Sequence, residues 1–225
     1  MLSAKADKLT PEKRDRILGQ IADRADHLAR LVDDLLLASR VAEPGQGAKL
    51  EVTMAEWPAA ALVDEAVASF PSLGERLTLD EQCNGSIVLG DRVRVVQCLT
   101  NLIGNAQKYS PEGTPIRVEA RCEPIDDDPA GGVVIAVTDQ GRGIPAPELD
   151  RIFDRFYRVE DPMTMTTGGS GLGLFIAREL AIAMGGDIDV TSTLGEGSTF
   201  RLHLRAAKGS ETRTDRETVR VEGEV

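Results

Sequence analysis

The sequence predicts an α+β fold: an α/β sandwich in which a mixed sheet carries one helical layer, preceded by one long amphipathic helix. Three observations carry that expectation. Leu18, Ile21, Ala25, Leu28, Val32 and Leu35 recur at alternating spacings of three and four, the stripe of a heptad helix. Beyond the Gly-rich break AEPGQGAK (42–49), short strand-like runs alternate with helical stretches, some as adjacent hairpins, which argues against a doubly wound parallel sheet. The 225 residues are 41% apolar, enough for one compact domain plus an appendage.

Each element has its own signal. Thr10-Pro11-Glu12 opens the first helix as N-cap, first-turn proline and acid, and the helix should run to about Val41, before Pro44-Gly45. Residues 1–43 thus read as one arm of a dimeric hairpin and 44–48 as a linker. KLEVTM (49–54) reads as a strand, PAAALVDEAVASF (58–70) as a helix, and RLTLDEQ (76–82) and SIVLGD (86–91) as strands. RVRVVQCLTNLIGNAQKY (92–109) is a long helix. PIRVEARCE (115–123) and GVVIAVTD (132–139) are strands joined by PIDDDPAG (124–131), a hairpin loop. PAPELDRIFDRFY (145–157) is a short helical stretch and VEDPMTMTTGGSG (159–171) an irregular loop. LGLFIARELAIAMG (172–185) is a helix, and GDIDVTST (186–193) and STFRLHLR (198–205) are a final strand pair. Residues 206–225 hold no Leu, Ile or Phe and are rich in charge, so they are expected to be disordered.

Composition narrows the function. A net charge of −11 with no dense Lys/Arg run argues against nucleic-acid binding and against an anionic membrane surface. Aromatics are only 4%, too few for a stacking platform for single strands. Three scattered cysteines without CxxC spacing read as reduced and cytosolic, and two histidines make a zinc site improbable. No run is apolar enough for direct membrane insertion, and the first residues lack a signal-peptide core.

Three segments carry the chemistry. Around NLIGNAQKYS (101–110), Gln97 one turn before it and Asn101, Asn105 and Tyr109 within it share one helix face, with Lys108 beside them. Amide oxygens can coordinate Mg²⁺ without adding negative charge beside a triphosphate, Lys108 can meet a phosphate and Tyr109 can stack on a base. A polar stripe facing solvent would explain an isolated Asn pair equally simply. DQGRGI (139–144) follows a strand, with Asp139 at its end and Gly141 and Gly143 permitting a tight turn; alone, an ordinary turn explains it as well. GGSGLGL (168–174) opens a helix and can present backbone N–H groups to an anion, or serve as a hinge. Its spacing fits neither a dinucleotide fingerprint, a Walker loop nor a serine-hydrolase elbow. The three in this order make the bland readings poor.

Together these segments resemble the ATP-binding domain of bacterial sensor histidine kinases, within the wider gyrase, chaperone and MutL-like ATPase fold. NLIGNAQKYS is similar to their N box, DQGRGI to the first glycine box, IFDRFYR (152–158) to the F box, GGSGLGL to the second glycine box and GEGSTF (195–200) to the last. The resemblance covers roughly residues 49–205, and residues 9–40 resemble the second helix of the family's dimerisation hairpin. It implies that Asp139 accepts from the adenine amino group. Asn105 would hold Mg²⁺, with Asn101 near metal and phosphates. Lys108 would touch phosphate and Tyr109 border the nucleotide. Gly141, Gly143 and Ile144 would shape the base pocket. Gly169, Gly171 and Gly173, with Ser170, Leu172 and Leu174, would form the phosphate loop. Ser198 or Thr199 would complete a contact near the base, and Phe156 and Arg158 would hinge a lid over 159–168. Asn101, Asn105, Lys108 and Arg158 would serve the transfer itself.

The implied activity is ATP-dependent protein histidine kinase, with ATP and Mg²⁺ required. Its partners would be a phosphoacceptor hairpin in cis or in trans, a response regulator, and a second copy of the chain through the first helix. The implied place is the cytoplasm, alone or as the cytoplasmic part of a membrane-anchored sensor. Two departures from the family stand out. The lid holds no Lys or Arg, so a cation for the γ-phosphate must come from Arg155 or Arg158. The family's acceptor histidine, set in His-Glu/Asp-Leu-Arg-x-Pro, has no counterpart: His27 is followed by LARL and His203 alternates with leucines on a strand. Two other functions share the motifs: a non-catalytic nucleotide-binding interaction module, and a serine kinase of the anti-sigma type, against which the hairpin helix counts.

Overall fold

Helix α1 (Pro11–Val41) begins where Thr10 caps it, its Oγ1 accepting from the Lys13 N–H at 3.4 Å and its carbonyl from Arg14 at 3.0 Å. The computed structural model describes residues 10–41, 51–81, 86–125, 128–159 and 170–207. The heptad leucines stay exposed: Leu18, Ile21, Leu28, Val32 and Leu35 all show about half their surface or more, from 47% to 62%. Among the described side chains α1 buries Leu37 and Ala38, near its end, where it packs on α4 (Gly173–Ala183). His27 lies within α1, but its side chain falls outside the described residues, as do the linker 44–48 and the tail beyond 207.

Seven strands form one mixed sheet: β1 (Ala55–Pro58), β2 (Leu77–Glu81), β3 (Ile87–Gly90), β4 (Ile116–Ile125), β5 (Asp128–Asp139), β6 (Asp187–Thr193) and β7 (Gly197–Ala206). The order is β1-β3-β7-β5-β4-β2, with β6 also pairing β7; only β2 and β4 run parallel. On one face lie α2 (Ala59–Ala68), α3 (Arg92–Tyr109) and α4. The period-two pattern of β5 aims Val133, Ile135 and Val137 into this layer, where they join Leu99, Leu102, Ile103, Ile176, Leu180 and Leu202 in one core. The Cys98 thiol, donating to the Ala177 carbonyl at 3.3 Å, ties α3 to α4; burial pushes its pKa up to about 12, so it is a packing group and not a nucleophile. On the other face the register sets Arg121 and His203 beside Val134, and Glu119 and Arg201 beside Ala136. Long charged side chains thus flank the small apolar residues there, as a water-facing sheet requires. His203 pairs Asp189 on β6 and belongs to this ladder.

Three local expectations need correction. Residues 51–54 are not a strand: the Thr53 N–H donates to Asp91 Oδ2 at 2.8 Å, and pairing starts only at Ala55, opposite Gly90. The expected 124–131 loop is much shorter, because β4 and β5 continue through a register shift between Glu123 and Ile125. The 145–157 stretch holds only a 3₁₀ turn at Ala146–Glu148, followed by successive tight turns. Two prolines and the left-handed backbone of Phe156 (φ 65°) prevent a longer helix.

Candidate functional site

Asp91 caps α3 through its Oδ1, which accepts from the Val93 and Arg94 N–H groups. That cap fixes the phase of the helix: Leu99, Leu102, Ile103 and Ala106 turn into the core, leaving Asn101, Asn105 and Lys108 at the edge of the helical layer. There α3, the end of β5 and the start of α4 enclose a cleft of about 770 Å³, a volume suited to a nucleotide-sized ligand. Asn101, Asn105, Lys108, Tyr109, Asp139, Gly143, Ile144, Arg158, Ser170, Gly171, Gly173, Leu174 and Ser198 all line it.

The floor is acidic and buried. Asp139 is 6% exposed, and its Oδ1 accepts from the Gly141 N–H at 2.7 Å. Burial pushes its carboxyl above the ordinary aspartate value, against the opposing pull of the Gly141 and Ser198 N–H groups. Ser198 faces Asp139 across the β5–β7 register, and its hydroxyl meets Ser192 Oγ at 3.0 Å. Ser192 Oγ in turn accepts from the Ile144 N–H at 2.8 Å, which locks the glycine turn onto β6. Gly143 (φ 68°) sits so close to the Thr193 carbonyl that a Cβ would overlap it. Gly143→Ala should therefore cost about 2–3 kcal/mol of stability, from strain and displacement of the turn; a chemical melt measures it, and a midpoint within error of the unmutated chain would contradict the packing described.

The folded-state pKa of Asp139 is raised, so the carboxylate costs stability above that pKa, and the cost is withdrawn as pH falls toward the unfolded value. A ligand that donates to the charged carboxylate should show the opposite trend. Adenosine affinity should fall as pH is lowered through the raised Asp139 pKa, and Asp139→Asn should remove that dependence. A flat profile in the unmutated chain would speak against Asp139 facing the ligand.

The opposite end suits anions. Among the described residues no side chain caps α4, whose first-turn N–H groups lie at a helix start that favours anions, and Asn101 Nδ2 donates to the Gly173 carbonyl at 3.1 Å. Asn101 and Asn105 both line the cleft, and Asn105 has no side-chain hydrogen bond among the described residues. Among the described residues no group of three His, Cys, Asp or Glu is placed to hold a metal. Oxygen donors for Mg²⁺ would thus be these neutral amides together with ligand phosphates, a donor set that fits a hard cation with few protein ligands.

Some expected residues lie elsewhere. Thr199 points to the opposite sheet face, where its hydroxyl meets Thr138 Oγ1 at 3.0 Å, so of the Ser198/Thr199 pair only Ser198 reaches the cleft. Leu172 is core, 2% exposed, and Gly141 supports Asp139 from behind. Phe156 is exposed and outside the lining; its N–H donates to the Gly171 carbonyl at 3.1 Å, so it braces the glycine loop. A Cβ on Gly171 would lie 2.8 Å from the Phe156 carbonyl carbon, which explains that glycine. Arg155 stacks on Phe156 with its Cζ 4.9 Å from the ring centroid, leaving Arg158 as the F-box cation in the cleft. Gly169 and lid residues 160–168 fall outside the described residues. Arg142, Ile152, Tyr157 and Phe200 line the cleft without having been expected. Phe200 was readable, since it sits two residues after Ser198 on one strand face. Phe70 was not: it enters from the end of α2, where its ring sits 3.8 Å from the place of a Gly104 Cβ.

A mixed sheet under one helical layer, with a nucleotide-sized cleft between two helix ends, defines an α/β sandwich of the ligand-binding kind. Residues 90–208 match the model of the histidine kinase-, DNA gyrase B-, and HSP90-like ATPase family, and the chain belongs to that family. It is similar to the sensor protein SrrB of Staphylococcus aureus strain MRSA252, with 34% identity over 197 residues, 86% of this chain and 32% of SrrB. The chain thus spans about a third of the curated relatives it matches. Among solved structures, full-length ShkA in complex with AMPPNP superposes with a TM-score of 0.67 at 28% identity, over 88% of this chain and 40% of that one. The mycobacterial sensor histidine kinase MprB matches at 26% identity and a TM-score of 0.55, over 68% of this chain and 98% of its own. No helix among the described residues is long and apolar enough to cross a membrane.

Proposed function

We propose that this chain is the ATP-binding catalytic part of a two-component sensor histidine kinase, acting on a histidine supplied by another segment or chain. The observation that carries the reading is one cleft joining a buried carboxylate, an amide pair and an uncapped helix start. Asp139 would accept from the adenine amino group, with Ser198 and Ile144 beside it. Asn101 and Asn105 would lie along the phosphates, Lys108 would reach them from the Tyr109 side, and the α4 N–H groups and Arg158 would meet the charge at their far end. Mg²⁺ held by Asn105 would neutralise charge on the transferring group. In the transfer an imidazole nitrogen attacks the γ-phosphorus, the bond to the β–γ bridging oxygen breaks, ADP leaves and the imidazole gives up a proton. Little covalent work falls to the protein; positioning and electrostatics dominate.

The exposed heptad stripe of α1 supports a homodimer through that helix, and the family resemblance supports a response regulator as the next acceptor. Labelled ATP incubated with this chain and a separate histidine-bearing hairpin should leave acid-labile, base-stable phosphate on the hairpin. Acid-stable label on serine would favour the serine-kinase alternative. Label on the chain alone that vanishes in His27→Gln would overturn the external acceptor.

A further inference from the structure

We propose that Arg142 is a further binding residue for the purine base, forming with Tyr109 the wall against which the base rests. The inference builds on the nucleotide reading above and adds a residue to which the glycine boxes assign no role. Arg142 lies between Gly141 and Gly143, and both flanking glycines are packed too closely to shift. A Cβ on Gly141 would lie 2.7 Å from both Asp139 Oδ1 and the Tyr109 carbonyl, and one on Gly143 would overlap the Thr193 carbonyl. The Arg142 carbonyl itself accepts from the Gly195 N–H at 2.7 Å. The backbone that carries this side chain is therefore held from three sides. Its guanidinium lines the cleft, with Cζ 5.1 Å from the Tyr109 ring centroid.

Position decides which part of the ligand it meets. Asn101 is bonded to the Gly173 carbonyl, which places it at the start of α4. Tyr109 follows eight residues later on the same helix, about 12 Å along its axis. The Tyr109 backbone adjoins Gly141, whose N–H binds Asp139. Arg142 and Tyr109 thus sit at the Asp139 end, remote from the helix start that suits phosphate. A guanidinium is planar, stacks on aromatic faces and carries five donors in a fixed fork. Beside a carboxylate that accepts from an exocyclic amine, it supplies a flat surface for the base. Lys108 is also near Tyr109, its Nζ donating to the phenol oxygen at 3.1 Å, so the tyrosine is braced before any ligand arrives.

Adenosine separates this role from a phosphate contact. Titrated by calorimetry or NMR, Arg142→Ala should weaken adenosine and ATP by the same factor, roughly tenfold. Arg142→Lys keeps the charge but lacks the plane, and should not restore either. Loss of ATP affinity with adenosine unchanged, or full recovery in Arg142→Lys, would show a charge contact with phosphate and overturn the proposal. If Arg142→Ala lowers the melting temperature, Arg142→Gln carries the same comparison with less perturbation. Absence of binding by the unmutated chain would overturn the nucleotide reading itself. Unchanged affinities in Arg142→Ala, with normal binding by the unmutated chain, would overturn this proposal alone.

Discussion

Asp139→Asn should weaken ATP binding by about 2–4 kcal/mol, roughly thirty- to nine-hundred-fold. The carboxylate is buried at the floor of the cleft, where two backbone N–H groups already point at it. An asparagine must give its single oxygen to one of these donors, which turns its amide toward the remaining donor or toward the adenine amino group. Either choice sets donor against donor in a site sheltered from water, where an unmade hydrogen bond is most costly. Calorimetric titration of the variant reads the effect directly. Affinity equal to that of the unmutated chain would remove Asp139 from base recognition.

Asn105→Ala should remove the Mg²⁺-dependent part of nucleotide affinity, about 1.5–3 kcal/mol by analogy with a hydrogen bond to a charged group. The fold should not suffer. The Asn105 side chain lines the cleft and makes no hydrogen bond among the described residues, and alanine is the better helix former at an interior position of α3. The melting temperature should therefore stay level or rise while the difference between ATP affinities with and without Mg²⁺ disappears. A variant that keeps that difference would place the metal elsewhere. A variant that unfolds would show that Asn105 is a packing residue.

Much of this site was legible because its parts lie on long, strongly patterned elements. Helix α3 has the bounds that its periodicity and the Asp91 cap imply, and the strand feeding Asp139 is an unbroken apolar run. Legibility failed where tertiary contacts outvote local preference. Val52 and Thr53 have strand-forming side chains, yet a carboxylate from the α3 cap takes the Thr53 N–H. The F box has a helical composition, but the Phe156 N–H goes to the Gly171 carbonyl and turns the chain back on itself. The choice between Ser198 and Thr199 could have been made from period two alone, because only Ser198 shares a face with Phe200 and the inner leucines. Arg142 was hidden differently. It stands inside a motif read for its glycines, and its bearing on Tyr109 comes from the meeting of two segments more than thirty residues apart.

A cleft that selects an adenine nucleotide with its metal is tested most directly by parallel titrations of ATP and GTP with and without Mg²⁺. ATP should bind saturably, more tightly with Mg²⁺, and GTP should bind at least roughly thirtyfold more weakly, because its O6 acceptor would face the Asp139 carboxylate. Equal binding of the two nucleotides, or ATP binding indifferent to Mg²⁺, would contradict it.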